Sequence, residues 1–197
     1  MPRRATLKAY FEELLATEKL QPLELVADWP STLVKDIQTV FHDAYEASAL
    51  VGSTLALKPG SKPQSAGNQI EKFAAERLAA HCGQWTLDQC TGPGYPDRLI
   101  RNTVHKIAVE FKSTGQWNDK DSLRCVLASS SRKLRSQFTA PIHHLLITVK
   151  FSRVIDLVTI KGMRLDFLMT TTSVNVILEG SVNQRLLAEA THPKHEF

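Results

Sequence analysis

The stretch at residues 105–112 constrains the fold of this chain more than any other segment. Its apolar residues fall at every second position: Ile107, Val109 and Phe111. This alternation predicts a buried β-strand. Side chains two residues apart on a strand point to the same face of a sheet. Glu110 and Lys112 are therefore expected side by side on the opposite face, where a carboxylate and an ammonium need an explanation.

Apolar periodicity predicts the other elements of the chain. Helices are expected near residues 5–19, 31–51 and 65–80, from Asp121 onward, and at 186–190. Strands are expected near residues 85–88, 97–101, 105–112, 144–151, 154–160 and 174–178. The segments at 97–101 and 105–112 are expected to pair. This order predicts a mixed α/β or α+β fold, a sheet with helices packed on it.

Size and composition favour one folded domain. The chain has 197 residues, of which 43% are hydrophobic and 22% are charged, enough for a core and too apolar for general disorder. A loop at residues 58–63 separates an N-terminal helical part, 1–58, from a central part, 65–151, and C-terminal strands and a helix follow at 152–197.

The charge and the cysteines restrict the partners and the compartment. A net charge of +4 permits nucleic-acid binding without requiring it. Three cysteines, Cys82, Cys90 and Cys125, match no zinc pattern, so reduced thiols and a cytoplasmic location are expected. The N-terminal segment is an amphipathic helix with acidic residues rather than a signal sequence. No apolar run is long enough for a membrane span.

Asp97, Glu110 and Lys112 form either a salt-bridge cluster or a reaction centre. Asp97 follows a proline in a turn, and twelve residues separate it from Glu110. Mg²⁺ takes only one or two carboxylates beside its waters. As a reaction centre, Asp97, Glu110 and the Phe111 carbonyl bind Mg²⁺, or Mn²⁺ in its place, for phosphodiester hydrolysis. Lys112 then orients water or stabilises charge on the phosphate.

Pro96-Asp97 followed by Glu110-Phe111-Lys112 resembles the signature of the PD-(D/E)XK nucleases. The resemblance covers about residues 65–151 and includes the turn before Asp97, the apolar strand and an upstream amphipathic helix. It implies a restriction-endonuclease-like core, a mixed β-sheet flanked by helices, to which the N-terminal helices are additions. It also implies catalytic roles for Asp97, Glu110 and Lys112 and products with 5′-phosphates.

The upstream helix of that superfamily commonly supplies a further acid, and Glu71 and Glu76 are the candidates. Glu71 lies at the edge of the core-facing stripe, and Glu76 projects further toward solvent. Glu71 is therefore the preferred catalytic candidate. The alternative is a helix cap, because Asn68 and Glu71 have the spacing of a capping box.

Two polar segments after the strand are candidates for DNA binding. The segment at 129–137 combines Arg132, Lys133 and Arg135 with hydroxyl side chains, and both kinds of group contact phosphates. Gln116 and Asn118 lie in a polar loop just beyond Lys112. A solvated helix face explains the basic segment equally well. The pair His143-His144 is expected to be structural, because adjacent strand residues face opposite sides.

The leading function is a metal-dependent, site-specific endonuclease for double-stranded DNA, most like a type II restriction enzyme. Such an enzyme is expected to be a homodimer, because a symmetric site needs two centres. The uncovered segments 5–51 and 160–190 are the expected interface. The alternatives are a repair, junction-resolving or transposon-associated nuclease with the same centre, a non-catalytic nucleic-acid-binding protein, and an interaction protein with an accidental motif.

Overall fold

A computed structural model describes residues 3–92, 94–116, 124–125, 130–177, 185–188 and 194–196. Its helices are α1 (Leu7–Thr17), α2 (Ser31–Ala47), α3 (Pro63–Ala79) and α4 (Arg132–Gln137). The strands of the N-terminal half are β1 (Arg3–Thr6), β2 (Thr54–Ala56), β3 (Thr86–Gln89), β4 (Arg98–Arg101) and β5 (Lys106–Thr114). The remaining strands are β6 (Arg124–Cys125), β7 (His143–Val154), β8 (Leu157–Leu168), β9 (Ser173–Ile177), β10 (Arg185–Ala188) and β11 (Lys194–Glu196).

The larger sheet is mixed and has β5 near its centre. Its strand order is β11-β8-β7-β5-β4-β3, and β2 pairs with β8 beside this path. Strand β5 runs antiparallel to β4 and parallel to β7. Because β5 is covered on both faces, its residues from Ile107 to Phe111 are buried without interruption. The chain therefore has a mixed α+β fold with helices on a mixed sheet, as the sequence predicts.

Helices cover both faces of this sheet. On one face α2 and α3 pack through Phe41 and Ile70 against β5 residues that include Val109 and Phe111. On the other face α1 and α4 pack through Phe11 and other residues against the opposite side of the sheet. This second cluster includes Leu134 of α4, Ala108 of β5 and Leu146 of β7.

A second, smaller sheet has the order β1-β9-β10-β6. All its pairings are antiparallel, and they join the N-terminal strand to the C-terminal part of the chain. At the junction between β1 and α1, Thr6 caps the helix, because its hydroxyl accepts a hydrogen bond from the Ala9 amide.

Most predicted elements are confirmed with shifts of a few residues at their ends. Helices α1, α2 and α3 correspond to the three N-terminal helices predicted from the sequence. The predicted pairing of 97–101 with 105–112 is the antiparallel β4–β5 ladder. The strand predicted at 144–151 is β7, which extends at both ends. The strands predicted at 154–160 and 174–178 correspond to β8, which is longer, and β9.

Two predicted helices are wrong over the described residues. The segment predicted as a final helix, 186–190, forms β10 as far as Ala188. Its Leu and Ala residues favour helix, but pairing with β9 and β6 overrides that weak preference. The helix predicted from Asp121 is interrupted by β6 at Arg124–Cys125, and only α4 is helical farther on. The remaining residues of both segments lie outside the described part of the chain.

None of the helices described in the structure is both long and apolar enough to cross a membrane. Cys82 and Cys90 are free, buried thiols, and burial raises the pKa of each to about 11. The side chain of Cys125 lies outside the described residues.

Candidate active site

The antiparallel ladder between β4 and β5 places Asp97 next to Glu110. Arg98 pairs with Val109 in this ladder. Asp97, one residue before Arg98, therefore lies opposite Glu110, one residue after Val109. Two hydrogen bonds tie the two acids together. The Asp97 amide donates to Glu110 Oε2 at 3.1 Å, and the Phe111 amide donates to Asp97 Oδ2 at 3.3 Å. Asp97 thus extends the ladder with its side chain, which fixes the position of its carboxylate.

Lys112 completes this group from the same face of β5. Its Nζ donates to Glu110 Oε1 at 2.6 Å and to the Phe111 carbonyl oxygen at 2.9 Å. The side chain of Glu110 is 4% exposed and that of Lys112 is 19% exposed. The three charged residues that the sequence predicts to be adjacent are therefore in direct or near contact, and the cluster reaches the surface at one side.

Helix α3 brings Glu71 to the same place. Ser113 on β5 donates a hydrogen bond from its hydroxyl to Glu71 Oε1 at 3.1 Å. Gly67, one turn earlier, faces Ser113, and a Cβ at Gly67 would lie 3.2 Å from the Ser113 hydroxyl oxygen and 3.6 Å from Glu71 Oε1. The absence of a side chain at Gly67 therefore allows the close approach of helix and strand.

The capping alternative for Glu71 is excluded by where α3 begins. The helix starts at Pro63 and its cap is Lys62, so Asn68 lies inside the helix. Glu76 faces solvent, with a side chain that is 59% exposed and a 3.7 Å ion pair to Lys72. Glu71, and not Glu76, therefore lies beside the strand that carries Glu110 and Lys112.

The electrostatics of the cluster are those of several acids around one ammonium. Burial raises the pKa of Glu110 to about 8; the ammonium of Lys112 opposes this rise and Asp97 reinforces it. Burial also raises the pKa of Glu71, again opposed by Lys112 and reinforced by Asp97. For Lys112 burial acts downward, but the surrounding carboxylates outweigh it and raise the pKa of the ammonium. Perturbed groups of this kind are typical of functional sites.

A cleft of about 290 Å³ opens beside the carboxylates, between α3 and the β3–β4 strands. Its walls contain three polar residues that no sequence motif indicated, Lys72, Gln89 and Arg98, together with Asn68, which the sequence suggested only as a cap. Lys72 and Arg98 are cations, and they line the cleft together with the acids Glu71 and Asp97. Arg98 follows Asp97 directly in the sequence, so the sequence alone indicates that this cation lies near the acid. The approach of Lys72 depends on how α3 packs on the sheet, which no local pattern gives.

The predicted DNA-binding residues lie in different surroundings. Lys133 donates to the Gly94 carbonyl at 2.6 Å. Arg135 donates to the Ser131 hydroxyl at 2.8 Å, and Ser131 in turn donates to Glu18. Both cations therefore have partners within the chain, whereas the neighbouring Arg132 is exposed.

The loop beyond Lys112 is described only at its start. Gln116 is exposed, and its backbone bonds with the Thr114 hydroxyl as donor at 3.2 Å and as acceptor at 2.8 Å. Asn118 lies outside the described residues.

The two adjacent histidines have the structural roles that strand parity predicts. His144 is fully buried, and its Nε2 donates to the Leu25 carbonyl at 2.6 Å while its Nδ1 meets the Tyr95 hydroxyl. Burial lowers the pKa of His144 to about 4. His143 points the other way, where its ring lies 5.2 Å from that of Trp29.

The oxygen atoms of this cluster fit a hard cation. Glu110 Oε1 and the Phe111 carbonyl oxygen already close around a positive charge, the ammonium of Lys112. Within the described residues no group of three or more His, Cys, Asp or Glu side chains is arranged to hold a metal. Mg²⁺ does not require one, because it binds through one or two carboxylates and completes its shell with water. Asp97, Glu110 and the Phe111 carbonyl meet that requirement.

Comparison with models of known protein families gives no match for this chain. A comparison with curated proteins also gives no match. The resemblance to the PD-(D/E)XK nucleases therefore rests on the motif and the geometry described above.

Proposed function

We propose that this protein is a metal-dependent DNA endonuclease with a restriction-endonuclease-like core. The observation that carries the proposal is the grouping of Asp97, Glu110 and Lys112 at the β4–β5 pair, beside an open polar cleft. A plain salt bridge between Glu110 and Lys112 accounts for one bond of this group. It does not account for the reciprocal bonds of Asp97 or for the approach of Glu71.

Asp97, Glu110 and the Phe111 carbonyl would hold Mg²⁺ or Mn²⁺. When bound, such an ion polarises a phosphoryl oxygen and lowers the pKa of a water molecule. Backbone amides hold Asp97 and Glu110 in place, so both carboxylates are oriented before a substrate arrives. Glu71, fixed by Ser113, adds a carboxylate that can accept a hydrogen bond from the attacking water.

Lys112 has two roles in this proposal. Its ammonium stabilises the charge that develops on the phosphate, and it neutralises Glu110 in the absence of other cations. The phosphate strand would enter the cleft, where Lys72 and Arg98 offset the repulsion between phosphates and the three acids. These two residues join the earlier candidates, Arg132 above all.

The substrate and mode of action follow from the resemblance. The expected reaction is site-specific cleavage of double-stranded DNA with 5′-phosphate products by a cytoplasmic, type II restriction enzyme acting as a homodimer. A repair, junction-resolving or transposon-associated nuclease would use the same centre, because the chemistry is independent of how DNA is selected. A non-catalytic binding protein would have no need of Lys112 at the acids.

A cleavage assay tests the proposal. Purified protein is incubated with unmethylated phage DNA and Mg²⁺, beside three variants, Asp97→Asn, Glu110→Gln and Lys112→Ala. Discrete fragments from the wild type indicate a site-specific enzyme, and a smear indicates a nonspecific or structure-directed nuclease. Lys112→Ala is expected to reduce the rate roughly 100- to 1000-fold, the usual cost of losing a charge contact in the transition state.

Two controls make the assay decisive. Lys8→Ala removes an exposed lysine, paired with Glu12 on α1, and should leave cleavage unchanged. DNA binding in Ca²⁺, followed by gel shift, should persist in Lys112→Ala, because affinity is spread over many phosphate contacts. Cleavage by Lys112→Ala at the wild-type rate would show that Lys112 is not catalytic.

A further inference from the structure

The ammonium of Lys112 occupies a position between two of the proposed metal ligands. It lies 2.6 Å from Glu110 Oε1 and 2.9 Å from the Phe111 carbonyl oxygen. Both are short, charge-assisted contacts of the kind that a bound cation would also make. An ammonium and a divalent ion cannot share these two atoms at such distances without strong repulsion.

The other hydrogen bonds to Asp97 and Glu110 come from backbone amides. Lys112 is therefore the group that would compete with a metal ion for these oxygen atoms. Glu110 Oε2 is used by the Asp97 amide, and Asp97 Oδ2 by the Phe111 amide. Both donors are backbone amides at the end of the β4–β5 ladder and cannot turn away. Lys112 has a flexible side chain that is 19% exposed, whereas that of Glu110 is 4% exposed. It is therefore the group that can move when another cation arrives.

We propose that Lys112 acts as an internal cation that closes the metal site until DNA is present. In the free protein the ammonium holds Glu110 and the Phe111 carbonyl. A phosphate group entering the cleft offers the ammonium a new anionic partner, and its movement frees the two oxygens for a divalent ion. This regulation rests on the proposed nuclease function and concerns the same site.

Coupling between DNA and metal follows from this arrangement. A ligand that draws the ammonium away strengthens metal binding, and by linkage the metal strengthens DNA binding by the same factor. The free enzyme would bind Mg²⁺ weakly, which limits metal loading in the absence of substrate.

Isothermal titration of the 197-residue chain with Mg²⁺, without DNA, tests the inference. The variants are Lys112→Met, which keeps the length of the side chain and removes its charge, and Lys8→Met, which makes the same change at an exposed lysine of α1. Titrations are made at pH 7 and pH 8.5, because a proton on Glu110 would also compete with the metal. Glu110→Gln reports whether the ion bound is the one at this centre.

The Lys112→Met variant is expected to bind Mg²⁺ roughly tenfold more tightly than the wild type at pH 8.5, within the usual range of coupling between two sites. Lys8→Met should change the affinity by less than about threefold, since exposed charges are screened. Equal or weaker binding by Lys112→Met at both pH values would overturn the inference and leave the nuclease proposal intact. Absence of binding in wild type and Lys112→Met alike would overturn the metal centre itself.

A crystal structure with Mn²⁺ supplies an independent readout. The inference requires anomalous density for the metal beside Glu110 Oε1, with the ammonium of Lys112 displaced from both oxygens. Metal bound at Asp97 and Glu110 with Lys112 still on the Phe111 carbonyl would contradict it.

Discussion

Gly67 is a position at which an added side chain would directly contact residues of the candidate site. A Cβ there would lie 3.2 Å from the hydroxyl oxygen of Ser113, which holds Glu71. In the interior of a helix alanine is otherwise more favourable than glycine by about 1 kcal/mol. Stability and site geometry are therefore expected to respond in opposite directions at this position.

We predict that Gly67→Ala lowers the cleavage rate roughly tenfold or more while the melting temperature stays the same or rises. The loss follows because small displacements of a positioned group are costly in rate. Steady-state cleavage and thermal unfolding measure the two effects. Gln64→Ala, at an exposed position of α3, should change neither. Wild-type cleavage by Gly67→Ala would mean that the Glu71–Ser113 contact is unimportant for the reaction.

Single residues also show what the sequence could and could not predict about the site. The same-face placement of Glu110 and Lys112 follows from strand parity alone, and the structure confirms it. The contact of Lys112 with the Phe111 carbonyl depends on a rotamer, and the fit of Gly67 against Ser113 depends on the packing of α3. Neither has a local sequence signal, because both are set by the distance between elements.

Among the secondary-structure elements, α3 with β4 and α4 carry the two sets of cations that DNA could contact. Lys72 and Arg98 line the cleft beside the acids. On α4, Lys133 and Arg135 are bonded to Gly94 and Ser131. Short hydrogen bonds of this kind must be broken before the cation binds phosphate, which reduces what it contributes to affinity, whereas the 3.7 Å pair of Lys72 with Glu76 is exposed and weak.

We predict that Lys72→Ala combined with Arg98→Ala weakens DNA binding and reduces its salt dependence by about two phosphate contacts, a slope change near 1.8. Lys133→Ala combined with Arg135→Ala removes the same charge and should change the slope less. Gel shifts in Ca²⁺ at several salt concentrations make the comparison. A larger effect from the α4 pair would move the DNA-binding surface to that helix.

Strand β7 and the loop before α2 meet at His144, a buried base that makes the core sensitive to acid. Its pKa is lowered by burial to about 4, against about 6.5 in the unfolded chain. The unfolded state thus binds more protons between these values, so stability is complete above pH 6.5 and falls as the pH drops toward 4. Integration over this window gives a loss of about 3 kcal/mol at pH 4.

We predict that His144→Gln removes most of this loss, although the variant is less stable at pH 7 because the bonds to Leu25 and Tyr95 are disturbed. Urea unfolding at pH 7, 5.5 and 4 measures the slope. His81→Gln, at an exposed position, serves as the control and should leave the slope unchanged. An equally steep acid slope in His144→Gln would assign the sensitivity to other groups.

Helices and strands with a strong sequence pattern are predicted correctly, and segments whose conformation depends on strand pairing are predicted poorly. The alternation in β5 and the apolar stripes of α1 to α3 specify strand and helix, because each has one face to bury. The residues of β10, Arg-Leu-Leu-Ala, are good helix formers, yet they pair with β9. They also pair with β6, which lies far earlier in the chain, and pairing over such a separation is not encoded in a short window.

For the molecule as a whole, the segments predicted to form an interface between two copies, 5–51 and 160–190, contain both buried and exposed apolar residues. The apolar stripes of α1 and α2, which suggested an interface, are buried within the chain itself, Phe11 and Phe41 among them. Between these helices Leu20 and Leu23 are exposed apolar side chains, at 36% and 42%, that a second copy could contact. Exposed apolar side chains do occur at the β7–β8 hairpin, where Val154 is 72% and Ile155 is 84% exposed.

The number of active centres determines whether a molecule can cleave one strand of a duplex or both. In the proposed reaction one cluster at Asp97 and Glu110 would act on one phosphodiester, and the two strands of a duplex run in opposite directions. Concerted cleavage of both strands at a symmetric site therefore calls for two copies of the chain related by a twofold axis. A monomer at the same site would release nicked circles before linear DNA.

We predict that the protein linearises a supercoiled plasmid carrying its site without accumulating nicked circles, and that light scattering finds two chains on a cognate duplex in Ca²⁺. Both follow from the requirement for one centre per strand. Mixing wild type with an excess of Glu110→Gln should convert linear product into nicked circles, since most dimers then contain one inactive centre. A single chain on the duplex, with nicked DNA formed first by the wild type alone, would instead identify a nickase with the same chemistry.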